Sequence, residues 1–534
     1  MINKARLKKS GVMLDCSRNA VLKPETVKKY IDIISDLGFN CLMLYTEDTY
    51  EVEHQPYFGK FRGRYSVEEI KDMDEYAKTK GVELMPCVQT LAHLNAIFHW
   101  SVYQKMCDCN DILLCDDENT YKLIDHMFEA ISRSYSTKTV NIGMDEAHML
   151  GRGRYFDRHG AQDRFEILLK HLNRVSELAK KYDFKLLMWG DMFFRLLGNN
   201  YYGNENIEIP DSVKKMIPDN VDLVYWDYYS KEKTDYDKRI KAHSAVKDNI
   251  WFAGGLWTWS GFAPHNKFSM QTTKAALTSC FEHGIENIFL TMWGDNGAEC
   301  SKFSVLPSLF YASELIKGND DINLIKQKFA EKYKIGFDEF TALDLPLTPN
   351  GSEAIVNSDK YLFYNDCFMG LFDRNIAEND GADFGKMAKV LEGVPANEYT
   401  YLFEAEAALC RVLEKKCNLG INTRKAYKEN DISALKRLVK EYEDVISLTE
   451  KFYELYEKQW MIENKPHGFD VQDIRIGGNI KRMTHCKDML LHFINGELSR
   501  IEELEDEPLD IRNRENGTHL EFNSWSHSVT ANLL

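Results

Sequence analysis

Residues 12–45 read VMLDCSRNAVLKPETVKKYIDIISDLGFNCLMLY. A short apolar run, Val12 to Asp15, gives way to an amphipathic stretch, Pro24 to Leu37, and a second apolar run follows from Cys41 to Tyr45. Pro24 suits the first turn of a helix, where its missing N–H would have no intrahelical partner. Gly38 suits the position just past the end, where left-handed backbone is tolerated without a Cβ. The pattern is strand, helix, strand, and a helical crossover of this kind joins parallel strands. The same alternation recurs. Further strands are expected at Glu83 to Val88, Thr139 to Met144, Lys185 to Trp189, Asp222 to Trp226, Ile250 to Ala253 and Asn287 to Met292. Further helices are expected at Val67 to Lys80, Asn119 to Tyr135, Phe165 to Tyr182 and Ser304 to Ile316. Eight βα units within about 310 residues fit an α/β fold of the (β/α)8 TIM-barrel type, since a doubly wound sheet has fewer strands.

From about Asn319 the strand runs disappear and long helical patterns follow, at Glu398 to Cys417, Asp431 to Glu463 and Ile480 to Leu504. The expected division is a catalytic barrel over residues 1–318 and a mostly α-helical C-terminal region over residues 319–534. With 534 residues, 44% hydrophobic and 28% charged, the chain has the make-up of a folded globular protein with a large core.

The net charge of −16 opposes binding to nucleic acid through phosphate neutralisation, so a neutral substrate is expected. No apolar run approaches the roughly 20 residues that span a bilayer, so no membrane association is expected. The opening MINKARLKKS is basic, but the apolar stretch after it, Gly11 to Leu14, is too short for a secretory core, which reads as a cytoplasmic protein. Twelve irregularly spaced cysteines suggest reduced thiols. Cys107, Cys109 and Cys115 lack paired CxxC spacing, and the fifteen histidines form no HxH or HExxH arrangement, so neither a metal nor any other cofactor is expected.

Active sites of such barrels form at the C-terminal ends of the strands. In strand order these positions hold Arg18; Glu47 and Asp48; His93 and Asn95; Asp145 and Glu146; Trp189 and Asp191; Trp226, Asp227, Tyr228 and Tyr229; Trp257 and Trp259; and Trp293, Asp295 and Asn296. Five of the nine tryptophans fall here, and indoles beside carboxylates suit a sugar, whose C–H faces stack on the ring while its hydroxyls bind the charged groups. In Asn141-Ile142-Gly143-Met144-Asp145-Glu146 the two adjacent carboxylates repel. That repulsion favours keeping one protonated and available as a general acid.

These segments together resemble glycoside hydrolase family 20, the β-N-acetylhexosaminidases, in a divergent, intracellular branch with a helical C-terminal region. Val12 to Arg18 is similar to the family's first strand with its sugar-binding Arg. Pro86 to Ala96 (PCVQTLAHLNA) is similar to the third-strand segment, whose active-site His corresponds to His93. Ile142 to Glu146 (IGMDE) resembles the GGDE motif, with Met144 in place of the second Gly. Trp189, Trp226 and Trp293 resemble the tryptophans around the acetamido pocket, and Asp295 stands where the family has a hydroxyl-binding Glu.

The resemblance implies a retaining, exo-acting enzyme that uses the substrate's own 2-acetamido oxygen as nucleophile. An oxazolinium intermediate forms while Glu146 serves as acid and then base, and Asp145 orients the acetamido N–H. Glu47 and His93 are implied to support the catalytic Glu. Arg18, Trp189, Trp226, Asp227, Tyr228, Tyr229, Trp257, Trp259, Trp293 and Asp295 are implied to bind substrate. The family's acetamide-binding Tyr follows strand seven, where this chain has Leu256-Trp257-Thr258-Trp259, so Tyr228 or Tyr229 is assigned that role. The expected partner is a glycan or glycoconjugate with a terminal N-acetylhexosamine, GlcNAc or GalNAc, and a homo-oligomer is left open. Two alternatives stand beside this reading. One is a glycosidase with a protein nucleophile, Asp191, Asp227 or Asp295. The other is a non-catalytic sugar-binding protein.

Overall fold

The computed structural model describes residues 7–198, 201, 210–351, 354–374, 376, 383–511 and 521–534. The chain divides into two compact units. The first comprises Met1–Gly255, Met270–Met292 and Ala312–Asp320, and the second Leu256–Ser269, Trp293–Tyr311 and Asp321–Leu534.

The first unit is a closed barrel of eight parallel strands in sequence order: β1 (Lys9–Asp15), β2 (Cys41–Tyr45), β3 (Glu83–Cys87), β4 (Thr139–Asn141), β5 (Lys185–Trp189), β6 (Val221–Trp226), β7 (Ile250–Gly255) and β8 (Asn287–Met292). Val12 lies level with Leu42 and Leu290, and Leu42 with Leu84; all are buried, as strands covered on both faces require. The crossovers include α1 (Pro24–Leu37), α2 (Val67–Thr79), α3 (Glu118–Ser134), α4 (Arg164–Lys180) and α5 (Asp191–Gly198). α1 ends where Gly38 takes φ +89° and its N–H reaches the carbonyls of Ile34 and Ser35. α2 opens with a capping box: Ser66 Oγ accepts from the Glu69 N–H, and Glu69 Oε2 accepts from the Ser66 N–H.

The expected fourth strand, Thr139 to Met144, is three residues too long. The backbone leaves the sheet after Asn141 because Gly143, Met144 and Glu146 all adopt left-handed conformations, with φ of +72°, +68° and +51°.

The second unit is helical. Its longest elements are α6 (Thr400–Lys416), α7 (Ile432–Glu463) and α8 (Phe469–Ile494), with α7 packed on both others. α8 begins eleven residues before the expected Ile480 and passes unbroken through Gly477-Gly478. It stops at the Asn495-Gly496 turn, where Gly496 has φ +75°, short of the expected Leu504. Phe262 inserts among Phe363, Phe452 and Tyr456, and a buried ion-pair group joins Glu299 to Lys360 and Arg475. The twelve cysteines form no disulfide. Among the described residues, no helix is long and apolar enough to cross a membrane.

Candidate active site

The centre of the first unit's strand ends is built around the turn after β4. A Cβ at Gly143 would meet Gln89 Oε1 at 2.0 Å, so glycine here serves both the left-handed turn and the close approach of Gln89. Gln89 is fully buried and makes three contacts: its Oε1 accepts from the Met144 N–H at 3.2 Å, and its Nε2 donates to Asp145 Oδ1 at 2.8 Å and to Tyr45 Oη at 3.0 Å. One amide thus fixes both the backbone of the turn and the first of its two carboxylates.

His93, in left-handed backbone at φ +56°, donates its N–H to Asp111 Oδ2 at 2.9 Å. Its Nε2 stands 3.2 Å from Asp145 Oδ2 and 3.8 Å from Glu146 Oε2. The nearer contact is an ion pair at an angle outside hydrogen-bond geometry. Burial works against the imidazolium, but the Asp145 carboxylate outweighs it and raises His93 to about 9. In return, although burial disfavours its charge, Asp145 is held below the ordinary carboxylate range by His93 and by the hydrogen bond from Gln89. The side chains differ in access: that of Asp145 is 12% exposed and that of Glu146 39%.

Below Glu146 lies Asp191, fully buried at the start of α5. Its Oδ2 accepts from the Glu146 N–H at 3.1 Å and from Arg195 Nε at 3.0 Å. The carboxyl is pushed up to about 7, chiefly by burial and then by the charge on Asp145, with Arg195 opposing. The group poised near neutrality is therefore Asp191.

Arg18 pairs with Asp15 Oδ2 at 2.9 Å and with Glu47 Oε1 at 3.2 Å, and its guanidinium lies 4.8 Å from the Tyr45 ring centre. Glu47 also accepts from Tyr45 Oη at 3.1 Å, and burial raises its carboxyl against the pull of Arg18. Trp189 is fully buried, its ring 5.8 Å from Phe289. The Trp226 ring stacks on Tyr228 at 5.2 Å and lies 4.8 Å from Tyr201, whereas Tyr229 is 41% exposed. Asp227 accepts from the N–H groups of Tyr229 and Ser230, from the hydroxyls of Tyr225 and Ser230, and from Arg239, so both of its oxygens are engaged by the turn that presents the two tyrosines.

The remaining expected residues belong to the second unit. There Trp257 stacks on Trp259 at 4.3 Å, and the Trp293 carbonyl accepts from Thr258 Oγ1 and Lys302 Nζ, both at 2.7 Å; Asp295 follows on the same loop. Among the described residues, no group of three or more His, Cys, Asp or Glu side chains is arranged to hold a metal. Sequence reading passed over Gln89, Tyr45 and Arg195. Arg195 carried a signal, its i,i+4 spacing from Asp191, and Gln89 stood in plain view as a polar residue directly after an apolar strand.

The arrangement offers an anchored, ionised carboxylate beside a more accessible one at a barrel's catalytic face. Comparison with known proteins bears on what such a face belongs to. The glycosyl hydrolase family 20 catalytic-domain model matches residues 10–275, and the glycoside hydrolase 20C C-terminal domain model matches residues 338–522. The chain is similar to hexosaminidase D of Bos taurus, 23% identical over 236 residues, covering 42% of this chain and 63% of the relative. It is also similar to hexosaminidase D of Homo sapiens, 21% identical over 220 residues, covering 40% and 43%. The chain thus spans less than two thirds of the length of either relative. A solved β-N-acetylhexosaminidase from Bacteroides fragilis aligns at 20% identity and a TM-score of 0.47, over 61% of this chain and 70% of that one. Because the catalytic-domain and C-terminal-domain matches follow one another along most of the sequence, the chain belongs to glycoside hydrolase family 20.

Proposed function

We propose that the protein is a retaining, exo-acting β-N-acetylhexosaminidase that releases terminal β-linked GlcNAc or GalNAc from a glycan or glycoconjugate. Glu146 protonates the leaving oxygen and then serves as base for the incoming water. Asp145 accepts the acetamido N–H and stabilises the positive charge that develops as the acetamido oxygen attacks C1. The observation that carries this reading is the asymmetry of the pair. Asp145 is enclosed and kept ionised by His93 and Gln89, while Glu146 projects further into solvent, where a leaving group can reach it. The names of the two mammalian relatives, hexosaminidase D, agree with it. Arg18, with Glu47 and Tyr45 fixing its position, is assigned to the sugar hydroxyls, and Trp226 with Tyr228 and Tyr229 to the acetamido wall.

The rival mechanism needs a second carboxylate as nucleophile, Asp191, Asp227 or Asp295. Asp191 is wholly buried and Asp227 has both oxygens engaged, which disfavours either in that role. A panel of aryl β-glycosides of GlcNAc, GalNAc, glucose and galactose tests the substrate class, and turnover confined to the two N-acetyl sugars is expected. Replacing the acetamido methyl hydrogens by one, two and three fluorines then tests the nucleophile. The rate should fall progressively, whereas a flat series with a trapped glycosyl-enzyme would assign the attack to a protein carboxylate.

A further inference from the structure

The catalytic strand end contains a carboxyl and a guanidinium for which the proposed reaction has no chemical use. Asp191 Oδ2 accepts from the Glu146 backbone N–H at 3.1 Å, and Glu146 is a non-glycine residue at φ +51°. Left-handed backbone costs a residue with a Cβ on the order of 1–2 kcal/mol, so it persists only where surrounding contacts hold it. The other oxygen, Oδ1, is buried and has no hydrogen-bond partner. A carboxyl added only for stability would be expected to satisfy both oxygens; this one is spaced by the single hydrogen bond to Glu146 and the one to Arg195.

Arg195 lies one helical turn further along α5. Its Nε donates to Asp191 Oδ2 at 3.0 Å, and its NH2 reaches Glu146 Oε1 at 3.5 Å. The two residues therefore grip Glu146 at both ends, Asp191 by the main chain and Arg195 by the carboxylate. Both come from one helix, α5, which packs against α4 and is a stiffer support than the turn after β4.

We propose that Asp191 and Arg195 are positioning residues that hold Glu146 in its proton-transfer pose, Asp191 by clamping the left-handed backbone and Arg195 by fixing where the carboxylate points. This rests on the reading of Glu146 as acid and base. Misplacing a catalytic group by about 1 Å can cost on the order of 10²-fold in rate, and the loss should be concentrated where proton transfer matters most.

The test compares an activated aryl β-GlcNAc with an unactivated disaccharide. Asp191→Ala, which removes the acceptor for the Glu146 N–H, should lower kcat on the disaccharide by on the order of 10²-fold, with KM little changed and a much smaller loss on the aryl substrate. Asp191→Asn keeps an oxygen acceptor at the same place and should recover most of that rate. Arg195→Ala should lower kcat on the disaccharide with KM little changed, because the contact that fixes the Glu146 carboxylate is lost, and Arg195→Lys should restore part of the rate. Thermal melts identify a variant that has merely failed to fold, and in that case the Asp191→Asn and Arg195→Lys comparison decides. Equal losses on both substrates, an effect confined to KM, or no rescue by Asp191→Asn would overturn the proposal. Glu146→Gln separates the two layers: if it leaves disaccharide turnover intact, the acid–base reading itself fails, and if it abolishes turnover while Asp191→Ala does not, only the positioning role fails.

Discussion

His93 Nε2 is closer to Asp145 Oδ2, at 3.2 Å, than to Glu146 Oε2, at 3.8 Å, so the imidazolium mainly serves the carboxylate assigned to the acetamide. This pairing has a pH signature. The folded-state value of His93, about 9, lies above its ordinary 6.5, so its contribution to stability is complete below about pH 6.5 and is lost as pH rises through 9. Asp145 is lowered, so its share is present above the ordinary carboxylate range and is lost as pH falls through its folded value. His93→Gln should therefore destabilise the protein most at pH 6, and the gap to wild type should close toward pH 9. Urea midpoints measured across that range check this, and a gap that stays constant would show that His93 is not charged in the fold.

Asp191 has the same sign as His93 and the opposite sign to Asp145. Its carboxyl is raised to about 7, because burial and the neighbouring Asp145 charge disfavour ionisation, so folding stability should decline as pH rises from about 4 to 7. Asp191→Asn removes this ionisation and should flatten that part of the curve. An unchanged slope would assign it to other groups.

Gly143→Ala should lower stability by about 2–4 kcal/mol, combining the cost of a Cβ at φ +72° with the overlap against Gln89 Oε1 at 2.0 Å. Displacement of Gln89 would also loosen its hold on Asp145, so kcat should fall with it. Denaturant midpoints and kcat measured on the same preparation check both effects.

Arg18→Ala leaves the buried carboxylates of Asp15 and Glu47 without their shared cation, a change that typically costs about 3–5 kcal/mol. The variant should melt earlier and should raise KM for the non-reducing sugar. A normal melting curve with raised KM would restrict Arg18 to substrate binding alone.

Glu146→Gln should reduce turnover of an unactivated disaccharide by about 10² to 10⁴-fold while binding of the sugar is retained, since an amide cannot deliver the proton. Steady-state rates on the disaccharide, together with a Kd from titration of GlcNAc, separate the two effects.

The first helix and the strands at Cys41–Tyr45, Lys185–Trp189 and Asn287–Met292 have the limits expected from their sequences, because apolar periodicity and a Pro or Gly at an end are local signals. The fourth strand overran for an equally physical reason. Ile142 and Met144 are apolar and fit a strand pattern, yet the left-handed turn through Gly143, Met144 and Glu146 is stabilised by Gln89 and Asp191, contacts that no local window contains. The helix at Phe469–Ile494 starts before the expected Ile480 and runs through Gly477-Gly478, where packing against the helix at Ile432–Glu463 outweighs the weak helix propensity of glycine.

By itself the sequence determined the eightfold alternation and the residue types gathered at the strand ends, including Arg18, His93, Asp145 and Glu146, since periodicity and strand polarity can be read along the chain. Only the tertiary structure decided which of these groups touch. Gln89 and Asp145 are 56 residues apart and meet because β3 and β4 are neighbours in a closed barrel. Closure also places Asp191 beneath Glu146 and turns His93 toward Asp145. Burial then raises Asp191, while the facing charges of His93 and Asp145 override burial and raise the one and lower the other, because a carboxylate or imidazole responds to the dielectric and the neighbours around it and not to its position in the chain.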